Sequence, residues 1–203
     1  MRFSDLLLAV NTPALNDFQR WVFEPGMLFN APNKWWGDLG LRAFPHEGVD
    51  FCLYENHSGM IAEIGHHALI PAIHDGVVKH VFSDYLGQAI VVEHKMTHYR
   101  SDMLISVYAH TRPLKQIRAG VVVKQGDIIA TVADTGRAKT PIRPHLHYSL
   151  GQPSAVIDYL QFVWNTMRNP DMVVLLNPLN AINDAYLTKE NADGSEHEKD
   201  RRR

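Results

Sequence analysis

Residues Ala68-Leu69-Ile70-Pro71-Ala72-Ile73-His74-Asp75-Gly76-Val77-Val78-Lys79-His80-Val81 place two short apolar runs, rich in β-branched side chains, on either side of a His-Asp-Gly turn signal. Such side chains suit a pleated surface, and Asp-Gly is chemistry for a hairpin or tight corner. The same pattern continues outward. Gly59-Met60-Ile61, Ala89 to Val92, Leu104 to Ala109, Val121 to Val123 and Ile128 to Val132 are further short runs, with a second corner at Gln125-Gly126-Asp127. Residues 49–150 are therefore expected to be mainly β (a β-rich α+β fold), with neighbouring strands often antiparallel.

The flanks read differently. Phe3, Leu6, Leu7 and Val10 predict a short amphipathic helix, followed by irregular structure punctuated at Pro13, Pro25-Gly26 and Pro32, so that 1–43 reads as an N-terminal extension. After Pro153, Val156, Tyr159, Leu160, Val163, Trp164 and Met167 recur at helical spacing until Asn169-Pro170, which predicts one amphipathic helix of about four turns over 153–168. Met172 to Leu176 suits a last strand. Residues 188–203 carry five acidic and five basic side chains and no large apolar one, too little burial to offset ordering entropy, so a disordered charged tail is expected.

Composition narrows the function classes. The 203 residues carry 20 Lys+Arg against 22 Asp+Glu, a net charge of −2, and no basic block inside the folded region, so no nucleic-acid partner is expected. No window approaches the ~18 apolar residues of a transmembrane segment, and Leu6 to Val10 is shorter than the ~7–15-residue core of a signal peptide. Cys52 is the single cysteine, which excludes an internal disulfide and a cysteine-based zinc cluster. The 12 histidines stand out instead.

Three of their settings can carry chemistry. His46 and Asp50 lie four residues apart, on one face if the segment is a strand, and imidazole and carboxylate are both zinc ligand types. His145-Leu146-His147 puts two imidazoles on one strand face, spaced to supply one ligand and one nearby base. Tyr108-Ala109-His110 ends an apolar run with a further histidine. Singly, each is as readily a surface pair, a solvated strand face or a half-buried imidazole. His57, His66, His67, His74, His80, His94 and His98 show no such spacing, and Trp35-Trp36 read as core or edge-covering residues.

Taken in order, His46-Glu47-Gly48-Val49-Asp50, Tyr108-Ala109-His110 and His145-Leu146-His147 resemble the marks of lysostaphin/LytM-type zinc metallopeptidases. Between them, Ile70 to Val78 is similar to that family's V-x-A-x-x-D-G-x-V strand pair. Lys124-Gln125-Gly126-Asp127-Ile128-Ile129-Ala130 with Thr135-Gly136 is similar to its V-K-x-G-x-x-I-A…T-G stretch. The resemblance covers about residues 44–151. It implies a barrel-sandwich-like duplicated hybrid motif in a metallopeptidase domain over 44–187, with the 153–168 helix as an insertion. It further implies one Zn²⁺ per chain on His46, Asp50 and His147, with His145 and His110 as catalytic histidines. The implied reaction is hydrolysis of a peptide bond, the usual substrate being a bacterial peptidoglycan cross-link. That places the activity in the cell envelope, although no signal-peptide core is visible in the chain.

The departures matter too. Arg143-Pro144 stands where the family has Gly-Pro, and Ser149 where it has an acidic residue after the aromatic. The basic Thr135 to Pro144 loop reads as a solvated surface. A further expectation is that Asn30 to Asn33 folds over the metal, as in latent relatives. Two other classes compete: a catalytically inactive LytM-like binding or regulatory module of the cell envelope, and a lipoyl-like carrier. The full set of five residues disfavours the first. The reversed order of Lys95-Met96 disfavours the second.

Overall fold

In a computed structural model, residues 2–12, 14–15, 17–95 and 103–189 are described, with the backbone of 197–198. Helix α1 (Phe3–Asn11) is followed by β1 (Phe18–Phe23), β2 (Val49–Phe51), β3 (Leu53–Asn56), β4 (Ile61–Glu63), β5 (Leu69–Pro71) and β6 (Gly76–Ser83). Then come β7 (Gln88–Lys95), β8 (Met103–Pro113), β9 (Val122–Val123), β10 (Ile128–Val132) and β11 (Leu146–Pro153). The C-terminal part holds α2 (Trp164–Arg168), β12 (Val173–Leu176), α3 (Leu179–Ile182), β13 (Tyr186–Thr188) and β14 (His197–Glu198). The mainly β reading is what the fold shows.

The larger sheet has nine strands, ordered β12-β11-β8-β7-β6-β9, with β10 paired to β5 and β8, and β2 paired to β11. The smaller sheet runs β14-β13-β1-β3-β4. Among the described residues β1–β13 is the one parallel pairing. The two corners read from the sequence are tied to each other, because Asp75 accepts the Gln125 N–H at 2.8 Å and Lys124 Nζ at 3.0 Å, while within the second corner Asp127 accepts the Lys124 N–H at 2.8 Å. Gly126 supplies the φ of +91° that this turn requires.

Both faces of the central strands are covered. Ile90 and Val92 of β7 and Tyr108 of β8 join one core with Phe3, Leu7, Trp21, Phe23 and Phe51. The alternate residues Ala89, Val91, Ile105, Val107 and Ala109 face the other way, against Phe162, Met167 and Val173. The period-2 alternation of side chains thus feeds two hydrophobic layers, which is why these strands are almost continuously apolar.

The four-turn helix expected over 153–168 is not formed. Instead β11 runs on to Pro153, a 3-10 turn spans Tyr159–Gln161, and α2 has only five residues. Asp158 caps Leu160 N–H locally at 3.0 Å, and Phe162 and Val163 between the two turns are extended. The break lets Phe162 and Met167 both reach the sheet, leaving Val156 (96% exposed) and Leu160 (76%) outside. Burying Phe162 and Met167 contributes about 1.5–3 kcal/mol each, more than the small helix propensity of a segment containing Val156, Ile157 and Val163.

β1 was not legible: Phe18 to Phe23 is six residues of mixed pattern, yet Trp21 and Phe23 are wholly buried. Thr188 pairs within β13, and Lys189 N–H donates to Phe23 O at 2.8 Å. The charged tail beyond them lies outside the described residues apart from the backbone of 197–198, as does His98. No helix of the described residues is long and apolar enough to cross a membrane.

Candidate metal centre

The antiparallel register brings the motifs together. Asp50 on β2 stands directly opposite His147 on β11, and His147 stands opposite Ala109 on β8, one residue from His110. Directly opposed side chains have Cβ atoms ~4.5–5.5 Å apart, so the distant motifs meet once the strands pair. His46 precedes β2, held by two backbone hydrogen bonds across to the N-terminal segment: Asn30 N–H to His46 O (2.8 Å) and His46 N–H to Ala31 O (3.1 Å).

Three donor atoms converge. His46 Nε2 lies 3.0 Å from His147 Nδ1, His147 Nδ1 lies 2.8 Å from Asp50 Oδ1, and His46 Nε2 lies 3.2 Å from Asp50 Oδ1. Ligands about 2.0–2.1 Å from one tetrahedral Zn²⁺ sit about 3.3 Å from each other, so the donor set fits a single ion of that size. The protonation pattern fits as well. His46 Nδ1 is 2.9 Å from Leu28 O, and a carbonyl only accepts, so Nδ1 carries the proton and Nε2 presents its lone pair to the centre. His147 Nε2 has Ser149 Oγ at 2.8 Å, which can accept from it and leave Nδ1 bare. Ser149 thus takes the place that the acidic residue holds in the resembled motif. His46, Asp50 and His147 are the one group among the described residues arranged to hold a metal in this way.

Asp50 is buried. Burial would raise its pKa, but the surrounding imidazoles of His46, His145 and His147 outweigh it and hold the carboxyl well below the usual range. Its second oxygen, Oδ2, accepts the Trp35 indole N–H at 2.7 Å and has Arg42 Nη2 at 3.8 Å. Trp35 and His145 also meet nearly perpendicular, at 80°, with ring centroids 5.0 Å apart. The tryptophan read as a covering residue therefore orients the carboxylate. Its sequence signal was only proximity to His46. Asn33, by contrast, donates to Leu39 O at 3.2 Å, and no hydrogen bond joins Asn30 or Asn33 side chains to the three donors among the described residues.

His145 and His110 line the same cleft, about 410 Å³ in volume. His145 Nδ1 donates to Arg143 O at 2.8 Å, leaving Nε2 with its lone pair, 3.8 Å from Asp50 Oδ1. Burial pushes the imidazole down to about 3, so it is neutral near pH 7. His110 sits at φ +59°, a conformation costing a non-glycine residue ~1–3 kcal/mol. Asp84, in the β6–β7 turn, holds it there: Oδ2 accepts the His110 backbone N–H at 2.7 Å, and His110 Nδ1 lies 3.2 Å from the same oxygen at ion-pair distance, though not in hydrogen-bond alignment. Burial acts to raise the Asp84 pKa, and the contacts with His110 override it, lowering the group to about 2. Sequence reading missed Asp84, which lies 26 residues before its partner.

The basic loop is not simply solvated either. Arg143 pairs with Glu24 at 2.9 Å and with Glu63 at 3.3 Å, tying the strand β4 and the N-terminal segment to the approach of β11. Trp164 of α2 meets His147 perpendicular to it, ring centroids 5.2 Å apart, and Arg168 donates from Nη2 and Nε to Glu47 Oε1 at 2.7 and 3.2 Å.

Curated protein sequences gave no match. Among solved structures, the chain is similar to a mutant catalytic domain of the prophage-encoded M23 protein EnpA from Enterococcus faecalis: 23% identity, 70% of this chain and 83% of that one, TM-score 0.41. It is similar to lysostaphin at 23% identity over 70% of this chain and 47% of that one, TM-score 0.43. It is also similar to CbpA from L. salivarius REN at 22% identity, 84% and 91% coverage, TM-score 0.48. The profile of Peptidase family M23 matches residues 55–159, a stretch that contains His110, His145 and His147, with His46 and Asp50 just upstream. With just over half of its 203 residues matched, the chain belongs to peptidase family M23.

Proposed function

We propose that the protein is a zinc-dependent endopeptidase that hydrolyses peptide bonds in bacterial peptidoglycan cross-links. The observation that carries this reading is the convergence of His46 Nε2, Asp50 Oδ1 and His147 Nδ1 within 2.8–3.2 Å of one another, beside two further histidines in one cleft. These three residues would hold one Zn²⁺, which when bound lowers the pKa of a coordinated water and polarises the scissile carbonyl.

The chain's own residues supply the remainder. His145 takes the water's proton at Nε2, the nitrogen left free because Nδ1–H is committed to Arg143 O. His110, fixed by Asp84, donates a hydrogen bond to the carbonyl oxygen as negative charge develops there. Trp35 keeps the Asp50 carboxylate turned so that Oδ1 faces the histidines.

Elemental analysis of protein purified without added metal or chelator tests the centre, with cleavage of cross-linked cell-wall peptides as the second readout. About one zinc per wild-type chain, little or none in His147→Ala, and a His145→Ala protein that keeps zinc but does not cleave are the expected results. No zinc in wild type after reconstitution overturns the reading. Zinc without cleavage of any cross-linked peptide would make the chain an inactive LytM-like module.

A further inference from the structure

The cleft is asymmetric in charge. Its charged walls are Lys34, Arg42, Arg168, Glu47 and Asp50. The two carboxylates lie underneath, their side chains 8% and 2% exposed, while those of Arg42 and Arg168 are 13% and 29% exposed and sit nearer the opening. Lys34 is already engaged by Asp38. Two guanidiniums therefore stand over two carboxylates, and a divalent ion on the His46, Asp50 and His147 donors would leave this part of the cleft with an excess of two positive charges.

Both guanidiniums are fixed in place before any substrate arrives. Arg42 donates Nη2 to Gly26 O at 2.8 Å and Nε to Asn33 O at 3.1 Å, and its plane rests on Trp36 at 4.5 Å. Arg168 is clamped through Nε and Nη2 on Glu47 Oε1 and lies against Phe44 at 5.2 Å. In each case the bonds use Nε and Nη2, and among the described residues Nη1 has no hydrogen-bond partner. A pre-positioned guanidinium edge of this kind suits a carboxylate, and no ordering of a flexible side chain opposes the contact.

We infer that Arg42 and Arg168 form a carboxylate-binding subsite beside the metal-ligand cluster, so that the cleft takes peptides bearing a free carboxylate next to the scissile bond. This rests on the endopeptidase reading for its substrate class. Arg42 lies 3.8 Å from Asp50, which places the subsite within about one residue of the reacting bond.

Two synthetic probes test it: a cross-linked stem-peptide dimer with its carboxyl groups free, and the same dimer with every carboxyl converted to carboxamide. Binding to the His145→Ala protein, which does not turn the probe over, is read by calorimetry at low salt and at about 0.5 M salt. The free-carboxyl dimer is expected to bind roughly tenfold tighter or better, in line with a charge-assisted hydrogen bond. Salt, Arg42→Gln, and the double variant Glu47→Gln/Arg168→Gln, which leaves no buried charge unpaired, should each shrink that preference without weakening the carboxamide dimer. Equal affinities, no measurable binding of the free-carboxyl dimer, or a preference untouched by either variant overturns the subsite; the last is what a carboxylate held by the metal alone gives. The two readings separate cleanly. A carboxylate preference without wild-type cleavage removes the peptidase and keeps the subsite, whereas equal cleavage of both probes does the reverse.

Discussion

Trp35, Ser149 and Asp84 touch the histidines and the carboxylate without being among the three ligands or the two catalytic histidines, and the site's geometry rests on them. Replacing Trp35 by Phe keeps the aromatic body against His145 but removes the donor on Asp50 Oδ2, so the carboxylate is free to turn. Zinc affinity should fall about 10–100-fold in Trp35→Phe, and similarly in Ser149→Ala, as measured by competition with a chromogenic chelator. Unchanged affinity would show that packing alone orients the ligands. A second prediction lies outside the cleft. His94 is buried between Asp75 O (2.8 Å) and Ser106 Oγ (2.7 Å), and burial pushes it down to about 4. Above pH 6.5 both folded and unfolded chains hold it neutral. Between pH 6.5 and 4 only the unfolded chain takes the proton, so stability falls as pH drops through this window, by up to about 3 kcal/mol. Urea unfolding should show the stability gap between wild type and His94→Gln narrowing by that order from pH 7 to pH 4.

Gly48 shows what the strand pairing demands. It lies between His46 and β2, where an added Cβ would stand 2.4 Å from Tyr148 O, 2.7 Å from Ser149 Oγ and 2.8 Å from His147 Nε2. The close approach that aligns Asp50 with His147 exists only because this residue has no side chain. Gly48→Ala should cost about 1–3 kcal/mol and lower the melting temperature by roughly 2–10 °C, with most of the bound zinc lost. Thermal melts with zinc analysis check both. The segment between β11 and β12 carries a different lesson. Its helical spacing was visible, but two anchors, Phe162 and Met167, had to reach one sheet face, and that requirement overrode the period. The short α2 it yields carries Trp164 and Arg168 into the cleft.

Across the whole molecule, the first 43 residues share a core with the β domain. Phe3, Leu7, Trp21 and Phe23 are 0–1% exposed and pack with Phe51 and Tyr148. At about 1.5–3 kcal/mol for each buried side chain, losing them is comparable to the ~5–15 kcal/mol that stabilises a typical domain. A chain lacking residues 1–34 should therefore show no cooperative unfolding transition by circular dichroism. A cooperative melt near that of the full chain would mean the segment only covers a core complete without it.

How much was legible depends on range. The mainly β pattern from Gly59 to Val132 and the corners at Asp75-Gly76 and Gly126 were readable, because strand periodicity and turn chemistry are properties of a residue and its near neighbours in the chain. The order of the His46-Asp50, Tyr108-His110 and His145-His147 motifs, which carries the family resemblance, was also readable, whereas the roles of those five residues came only from that resemblance. β1 was not readable, since its six residues become a strand only by pairing with β3 and β13. Nor was the environment of the five. Trp35 on Asp50, Asp84 on His110 and Arg168 on Glu47 join residues 15, 26 and 121 positions apart. Contacts at such separations follow from which strands pair and in what register, and from which side chains the two packed faces bring to one cleft. Local sequence determined the chemistry available to this protein, and tertiary packing decided which atoms meet and with what charge around them.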